Sequence, residues 1–390
     1  MAASPRCINR MQIQVVSEYD DFMALQSVWN DVLSKSHSDI VCLTHEWFEC
    51  WWRSFGMGRN LFILLITENR EVIGIAPFCL RRATYRNIAN INEIGFCANS
   101  VSPRTDFIVV KDKERAVIDL VVEYLLGHCH LWHIFRLQKI CTESPTYKIL
   151  RALLSKMRLP TRITEGNRSP YIHFEGDWGT YFAHRSRKFK SSMRNKLNRV
   201  NRFGDAVIER VEKKEDLDRC LAMICDVSSK SWKHDVGKSL PKRPDQMAFY
   251  KRITKTLGEK GWIKIWLLKH RDCCIAFEYH LVYKGVVYPI RADFDEEYNA
   301  ISPGSFLEYN VIKRIFDDAG IQQYDFCGDY YKYMLNWTPL VREYANIAVF
   351  NSEFVSRSLG WIECRLIPAI KKGIRLSGGD SKEGKLCRRR

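Results

Sequence analysis

The sequence predicts an α/β protein built from two similar halves. Three observations lead there. Strand-like and helical apolar spacings alternate along the chain from Met11 to Phe350. A hairpin pattern occurs twice at an offset of 200 residues, with Ile63 falling on Ile263, Leu65 on Ile265, and Ile75-Ala76 on Ile275-Ala276. The length, 390 residues, is about twice that of a usual single domain.

Taken in order, residues 1–10 read as a loose leader and Ile13 to Val16 as a strand. Phe22, Leu25, Trp29 and Leu33 recur at helical spacing across 19–35. Trp47, Trp51 and Trp52 make an aromatic helical stripe, a pattern that belongs to a core more often than to a ligand cage. Residues 61–66 and 72–80 flank a polar turn and predict an antiparallel hairpin. Helices follow at 116–126 and 147–157, with a strand at 132–137 between them. Pro160 and the polar run Glu165-Gly166-Asn167-Arg168-Ser169-Pro170 are expected to mark a domain boundary.

Beyond it lies a basic helix, 185–202, then a strand at 205–211 and helices at 217–232 and 246–257. A second hairpin, 262–268 and 273–283, precedes a strand at 286–294 and a helix opened by Ser302-Pro303-Gly304. Strands at 321–326 and 345–350 close the pattern. The expected division is 11–165, 166–352, and a basic amphipathic tail over 353–390 whose end, 377–390, reads as disordered.

Composition narrows the function classes. Apolar residues at 46% and charged residues at 27% are ordinary globular values. No run of about 18 apolar residues is present, so a membrane-spanning helix is not expected. The first residues, Met1 to Arg6, show no apolar signal core, and a cytoplasmic location is expected. The net charge of +16 is concentrated: residues 184–204 carry +8 and residues 352–390 carry +6, which points to particular anionic contacts. Fourteen cysteines without a Cys-x-x-Cys pair read as thiols in a reducing compartment. His128, His130 and His133 share a short stretch with Cys129, but no acid stands nearby to orient them, so no metal site is expected.

The order of basic helix, strand, helices, hairpin, strand, Ser302-Pro303-Gly304 and helix ends in Tyr324-Asp325-Phe326-Cys327-Gly328-Asp329-Tyr330-Tyr331-Lys332. This resembles the GNAT-like acyltransferases of the CelD group, associated with bacterial polysaccharide biosynthesis. More distantly it is similar to Fem-type transferases, which use aminoacyl-tRNA. The resemblance implies two tandem GNAT-like domains, each with a mixed, largely antiparallel sheet flanked by helices. It implies acyl-CoA, with an acetyl-like group, as donor, no metal, and an amine or hydroxyl acceptor on a small molecule, sugar or polysaccharide precursor. Two rivals follow: an aminoacyl-tRNA donor, or a non-catalytic accessory factor of a membrane glycan synthase.

The residues give physical reasons for such a site. Ser302 suits an N-cap, Pro303 a first helical turn, and Gly304 a close approach of backbone. The head of that helix is a natural seat for a pyrophosphate, so Ser302, Pro303, Gly304, Ser305 and Lys332 are the candidate cofactor contacts. Asp293 and Asp329 are candidate bases and Tyr331 a candidate donor to the departing thiolate. Asp293 shares a strand face with Arg291, with which it can instead pair. Arg187, Lys188 and Arg194 of the basic helix, with Arg291, Asp325 and Gly328, are the candidate substrate contacts. The helix itself suits cofactor phosphates, tRNA phosphates, an anionic glycan, or plain solvation. No Ser or Cys stands in a nucleophile elbow, which favours direct attack. The apolar and basic alternation after Phe350 suits either an anionic membrane surface or packing on the second domain.

Overall fold

A computed structural model describes residues 11–327 and 330–370. The first half contains β1 (Gln12–Val16), α1 (Tyr19–Ala24), α2 (Gln26–Ser34), α3 (His45–Phe55), β2 (Arg59–Glu68), β3 (Glu71–Tyr85), β4 (Ala89–Phe96), β5 (Ile108–Val109), α4 (Glu114–Gly127), β6 (Ile134–Cys141) and α5 (Pro145–Lys156). It is followed by β7 (Thr161–His173), α6 (Trp178–Ala183), α7 (Arg187–Phe203), β8 (Ala206–Val211), α8 (Lys214–Ser229), α9 (Trp232–Asp235) and α10 (Pro244–Gly258). The remainder is β9 (Ile263–His270), β10 (Cys273–Tyr283), β11 (Val286–Phe294), α11 (Pro303–Phe316), β12 (Gln323–Asp325), β13 (Val341–Phe350) and α12 (Phe354–Trp361).

The duplicated plan is present in the pairing. In the first half, β1, β2, β3 and β4 are antiparallel neighbours and β4 runs parallel to β6. In the second, β8, β9, β10 and β11 repeat that order and β11 runs parallel to β12. The helices α4 and α11 lie between the last antiparallel strand and the parallel one in each half, α4 after the added short strand β5. At the same offset of 200 residues, Ser102-Pro103 lies in a loop, whereas Pro303 begins a helix.

β7 runs through the polar stretch 165–170. Residues 165–170 form the middle of this strand, with Glu165, Asn167 and Arg168 exposed and Ser169 and Pro170 buried. Polar residues there occupy the open face, which is why the sequence reads as a loop. Gly166 is needed for contact, because a Cβ would meet the Tyr344 carbonyl oxygen at 3.0 Å. The first ten residues of β7 pair with β13, and Tyr171 to His173 pair with β12. β13, expected in the second domain, lies between β6 and β7. Among the described residues the strands thus join into one thirteen-stranded sheet.

The halves also share a core. Trp47 and Trp51 on α3 are buried, and the Trp47 ring meets Phe249 of α10 edge-on at 5.0 Å. Thr44 caps α3 by accepting from the Trp47 N–H. Lys260 pairs with the buried carboxylate of Glu46 at 2.8 Å, which ties the two halves at one edge of this core. On the other face of the second half's sheet, α7 and α11 cover Ala276, Val287, Tyr324 and their neighbours. No helix among the described residues is long and apolar enough to cross a membrane.

Candidate active site

The sheet opens at one place. β11 and β12 pair only at Val286 with Gln323 and Val287 with Tyr324, and from Tyr288 onward they part. Opposite β10, the register passes from Arg291 to Pro289, leaving Ile290 as an extra residue. A bulge beside a proline bends a strand and ends its pairing on the side where an N–H is missing. Side chains take up the backbone beyond it: Tyr250 donates to the Ile290 carbonyl at 3.2 Å, and Lys233 donates to the Ala292 carbonyl at 2.7 Å.

On one face of this split stands the head of α11. Ser302 does not cap it, contrary to the expectation from sequence. Its backbone is left-handed, at φ 56°, and its side chain makes no capping bond. The tight exit from the preceding turn, rather than a hydroxyl, sets the helix start. Gly304 lies against Phe294 at the end of β11, where a Cβ would stand 3.3 Å from the ring. Lys196 of α7 donates to the Ser305 hydroxyl at 2.8 Å, and Arg199 donates to the Ala300 carbonyl at 2.9 Å. Burial lowers the Lys196 pKa, and the neighbouring Arg199 lowers it further. Two cations therefore flank a helix terminus whose first-turn amides have no partner within the helix.

The basic helix meets the site with residues other than those singled out. Arg187, Lys188 and Arg194 are exposed, while Lys196 is half-buried and turned to α11. Met193 and Val200, with Phe189 and Leu197 beside them, form the narrow apolar stripe that orients it. Lys332 is exposed and begins a short helical turn. Tyr331 is exposed and its ring stacks on that of Tyr333, with centroids 6.2 Å apart. Gly328 and Asp329 lie outside the described residues.

Beneath α11 lies a polar group that sequence reasoning did not find. His280 bonds Glu278 at 2.8 Å, and both are buried. Glu308, on α11, accepts from the Trp337 indole at 3.1 Å. Burial and the neighbouring Glu278 push the Glu308 carboxyl up to about 8. Glu278 and His280 stand two apart on a strand, and Glu308 five residues into a helix. Only packing brings them together, and nothing in the spacing announces it.

On the opposite face, Asp293 has no exposed side-chain surface and pairs with both Lys233 and Arg291, the latter at 2.9 Å. Arg291 also donates to Ser228 at 3.1 Å. Held between two cations, this carboxylate fastens α8 and α9 to β11. Asp325 is likewise enclosed. Arg342 donates to it at 2.5 Å, Ser169 at 2.7 Å and the Cys327 N–H at 3.1 Å, which locks β12 to β7 and β13. Burial raises the Cys327 thiol well above its ordinary pKa and the Cys42 thiol to about 11, so both are neutral. No group of three or more metal-ligating side chains occurs among the described residues.

Residues 187–334 match the family described as an acetyltransferase (GNAT) domain. The split and the head of α11 both fall within the residues that match. Two solved structures are similar in fold. One is a conserved protein of unknown function from Bacteroides thetaiotaomicron VPI-5482, with a TM-score of 0.57 and 12% identity over 87% of this chain and 100% of that one. The other is FemX, with a TM-score of 0.57 and 11% identity over 90% of this chain and 100% of that one. No curated protein matches the sequence.

Proposed function

We propose that the chain transfers an acyl group from acyl-CoA to an amine or hydroxyl acceptor by direct attack, with the reaction centred in the split between β11 and β12. The observation that carries this reading is the pair of cations, Lys196 and Arg199, set at the head of α11 beside that split. The helix head and its two cations would hold the donor's pyrophosphate, and its pantetheine arm would run along the unpaired edge of β11. The acceptor's nucleophilic atom bonds to the thioester carbon as the carbon–sulfur bond breaks. The acceptor loses one proton, and the thiolate departs with the electron pair. The neutral thiols of Cys327 and Cys42 support direct attack, because a neutral thiol is a poor nucleophile.

Asp293 and Asp325 are both ion-paired. We therefore assign the proton to Asp329, which follows Cys327 by two residues in the sequence, and the hydrogen bond to the departing thiolate to Tyr331. The first half would shape the acceptor site without a donor site of its own. After β4, Phe107 packs on Phe78 at 5.5 Å and on Phe96 at 5.3 Å. The acceptor class proposed is a sugar or polysaccharide precursor, as in the CelD group. For location we propose peripheral contact with an anionic membrane. Phe354, Trp361 and Ile370 are exposed there, and the sequence beyond them is strongly basic.

The exposed row of Arg187, Lys188 and Arg194 supports a second reading, an aminoacyl-tRNA donor of Fem type. Thermal unfolding of the purified chain with acetyl-CoA, longer acyl-CoA species and charged tRNA separates the two. Stabilisation by an acyl-CoA supports the first reading, and salt-sensitive stabilisation by charged tRNA alone replaces it with the second. No stabilisation by any of these would leave the accessory-factor reading.

A further inference from the structure

The sheet face that carries α11 holds a small cavity at the opposite end of that helix from its head. Strand register places much of the lining. Arg210 of β8 stands opposite Trp266 of β9, and Lys264, two residues earlier on the same face, stands opposite His280 of β10. Arg314, in the last turn of α11, and Asp318, just beyond it, line the cavity from the helix side. The space is largely enclosed and admits one sphere the size of a water molecule or slightly larger.

Three permanent cations and one carboxylate line this cavity. The carboxylate is fully engaged: Asp318 accepts from Lys264 at 3.3 Å on one oxygen and from the Gly320 N–H at 3.2 Å on the other. His280 is held by Glu278 at 2.8 Å. Arg210 pairs with Glu212 at 3.1 Å, and its guanidinium carbon lies 5.7 Å from the centre of the Trp266 ring. The Arg314 guanidinium also lies 5.7 Å from that ring, and it pairs with no carboxylate among the described residues. Trp266 is 3% exposed, and its buried indole N–H has no acceptor among the described residues. A buried donor is seldom left so, because nothing then replaces its lost hydration. Water would serve the N–H alone. The surplus of positive charge favours an anion, and the size of the space excludes phosphate and sulfate.

We propose that this cavity is a binding site for one monatomic anion, chloride. The Trp266 N–H, the Arg314 guanidinium and the Lys264 ammonium are its donors, and the bound ion fastens the C-terminal end of α11 to β9 and β10. Arg314 then has a task that its place in the last helical turn does not explain, since a cation facing solvent would favour the helix end equally well. Chloride would bind there whatever reaction the split performs.

The test is thermal unfolding of the full chain in sodium chloride, sodium bromide or sodium gluconate at one ionic strength. Chloride and bromide are expected to raise the midpoint saturably, by about two to four degrees, while gluconate, too large to enter, leaves it unchanged. Arg314→Gln and Trp266→Phe should each lose the halide-dependent rise, and Arg187→Gln should keep it. Crystals grown in sodium bromide provide a direct measurement, because anomalous scattering locates a bromide within hydrogen-bonding reach of the Trp266 indole. No rise, a rise that fails to saturate, or one that persists in full in either cavity variant overturns the site. A water molecule in the cavity of crystals grown in bromide overturns it as well. If neither cavity variant folds, the position of bromide in the parent decides.

Discussion

Lys196 of α7 donates a 2.8 Å hydrogen bond to the hydroxyl of Ser305 in the first turn of α11. Two segments separated by more than a hundred residues thereby place a cation at a helix N-terminus, beside the opening of the sheet. Lys196→Gln should weaken coenzyme A binding about five- to tenfold without lowering the thermal midpoint by more than a few degrees. Arg187→Gln, on the exposed face of the same helix, should leave coenzyme A affinity within about twofold. Calorimetric titration of both variants checks this. Equal losses in the two would mean a diffuse charge effect rather than a seat for phosphates.

Asp293 is expected to act through structure. Asp293→Asn leaves Lys233 and Arg291 without their counter-charge in a buried place and should cost about 3–5 kcal/mol in urea unfolding. Asp293→Asn combined with Lys233→Met should recover part of that loss. A chemical base would show no such recovery, only lost turnover at unchanged stability.

Asp329→Asn should lower kcat about a hundredfold while coenzyme A affinity holds, the size of effect usual for a general base. Steady-state kinetics with any working acceptor provide the measurement. Retained kcat would move the proton to another group.

Glu308 gives a pH signature. Its carboxyl is raised from an ordinary value of 4.5 to about 8, so folding holds it protonated. The stability that comes with its proton is complete below about 4.5 and is lost as pH rises through about 8. Relative to the parent, Glu308→Gln should gain roughly 1–2 kcal/mol in stability between pH 5 and pH 9. Parallel denaturation curves across that range would contradict the assignment.

Vesicle co-sedimentation tests the proposed membrane contact. Phe354→Ser with Trp361→Ser should reduce binding to vesicles rich in phosphatidylglycerol by about tenfold and leave acyl transfer to a water-soluble acceptor intact. Binding that never exceeds that to neutral vesicles would remove the proposal.

Much of the second half was legible because its signals are local. The hairpin of β9 and β10, the strand β11 and the helix α11 follow from apolar period and turn residues, and the Asp293 and Arg291 pairing follows from their alternation. Ser302 was misread because a hydroxyl before a helical proline fits two geometries, a side-chain cap and a left-handed turn. Glu308, Glu278 and Lys196 meet only through packing of α11 and α7 on β10, which no spacing encodes. β7 was hidden by polar residues on its open face.

The place of β13 between β6 and β7 has a consequence for biosynthesis. The opening half of the polypeptide cannot close its own sheet until residue 350 has left the ribosome, so the earliest-made strands wait, with one edge unsatisfied, for the latest. Nascent chains stopped short of Val341 should be targets for chaperones and proteases, and separate expression of the leading half should yield a protein that aggregates along β6.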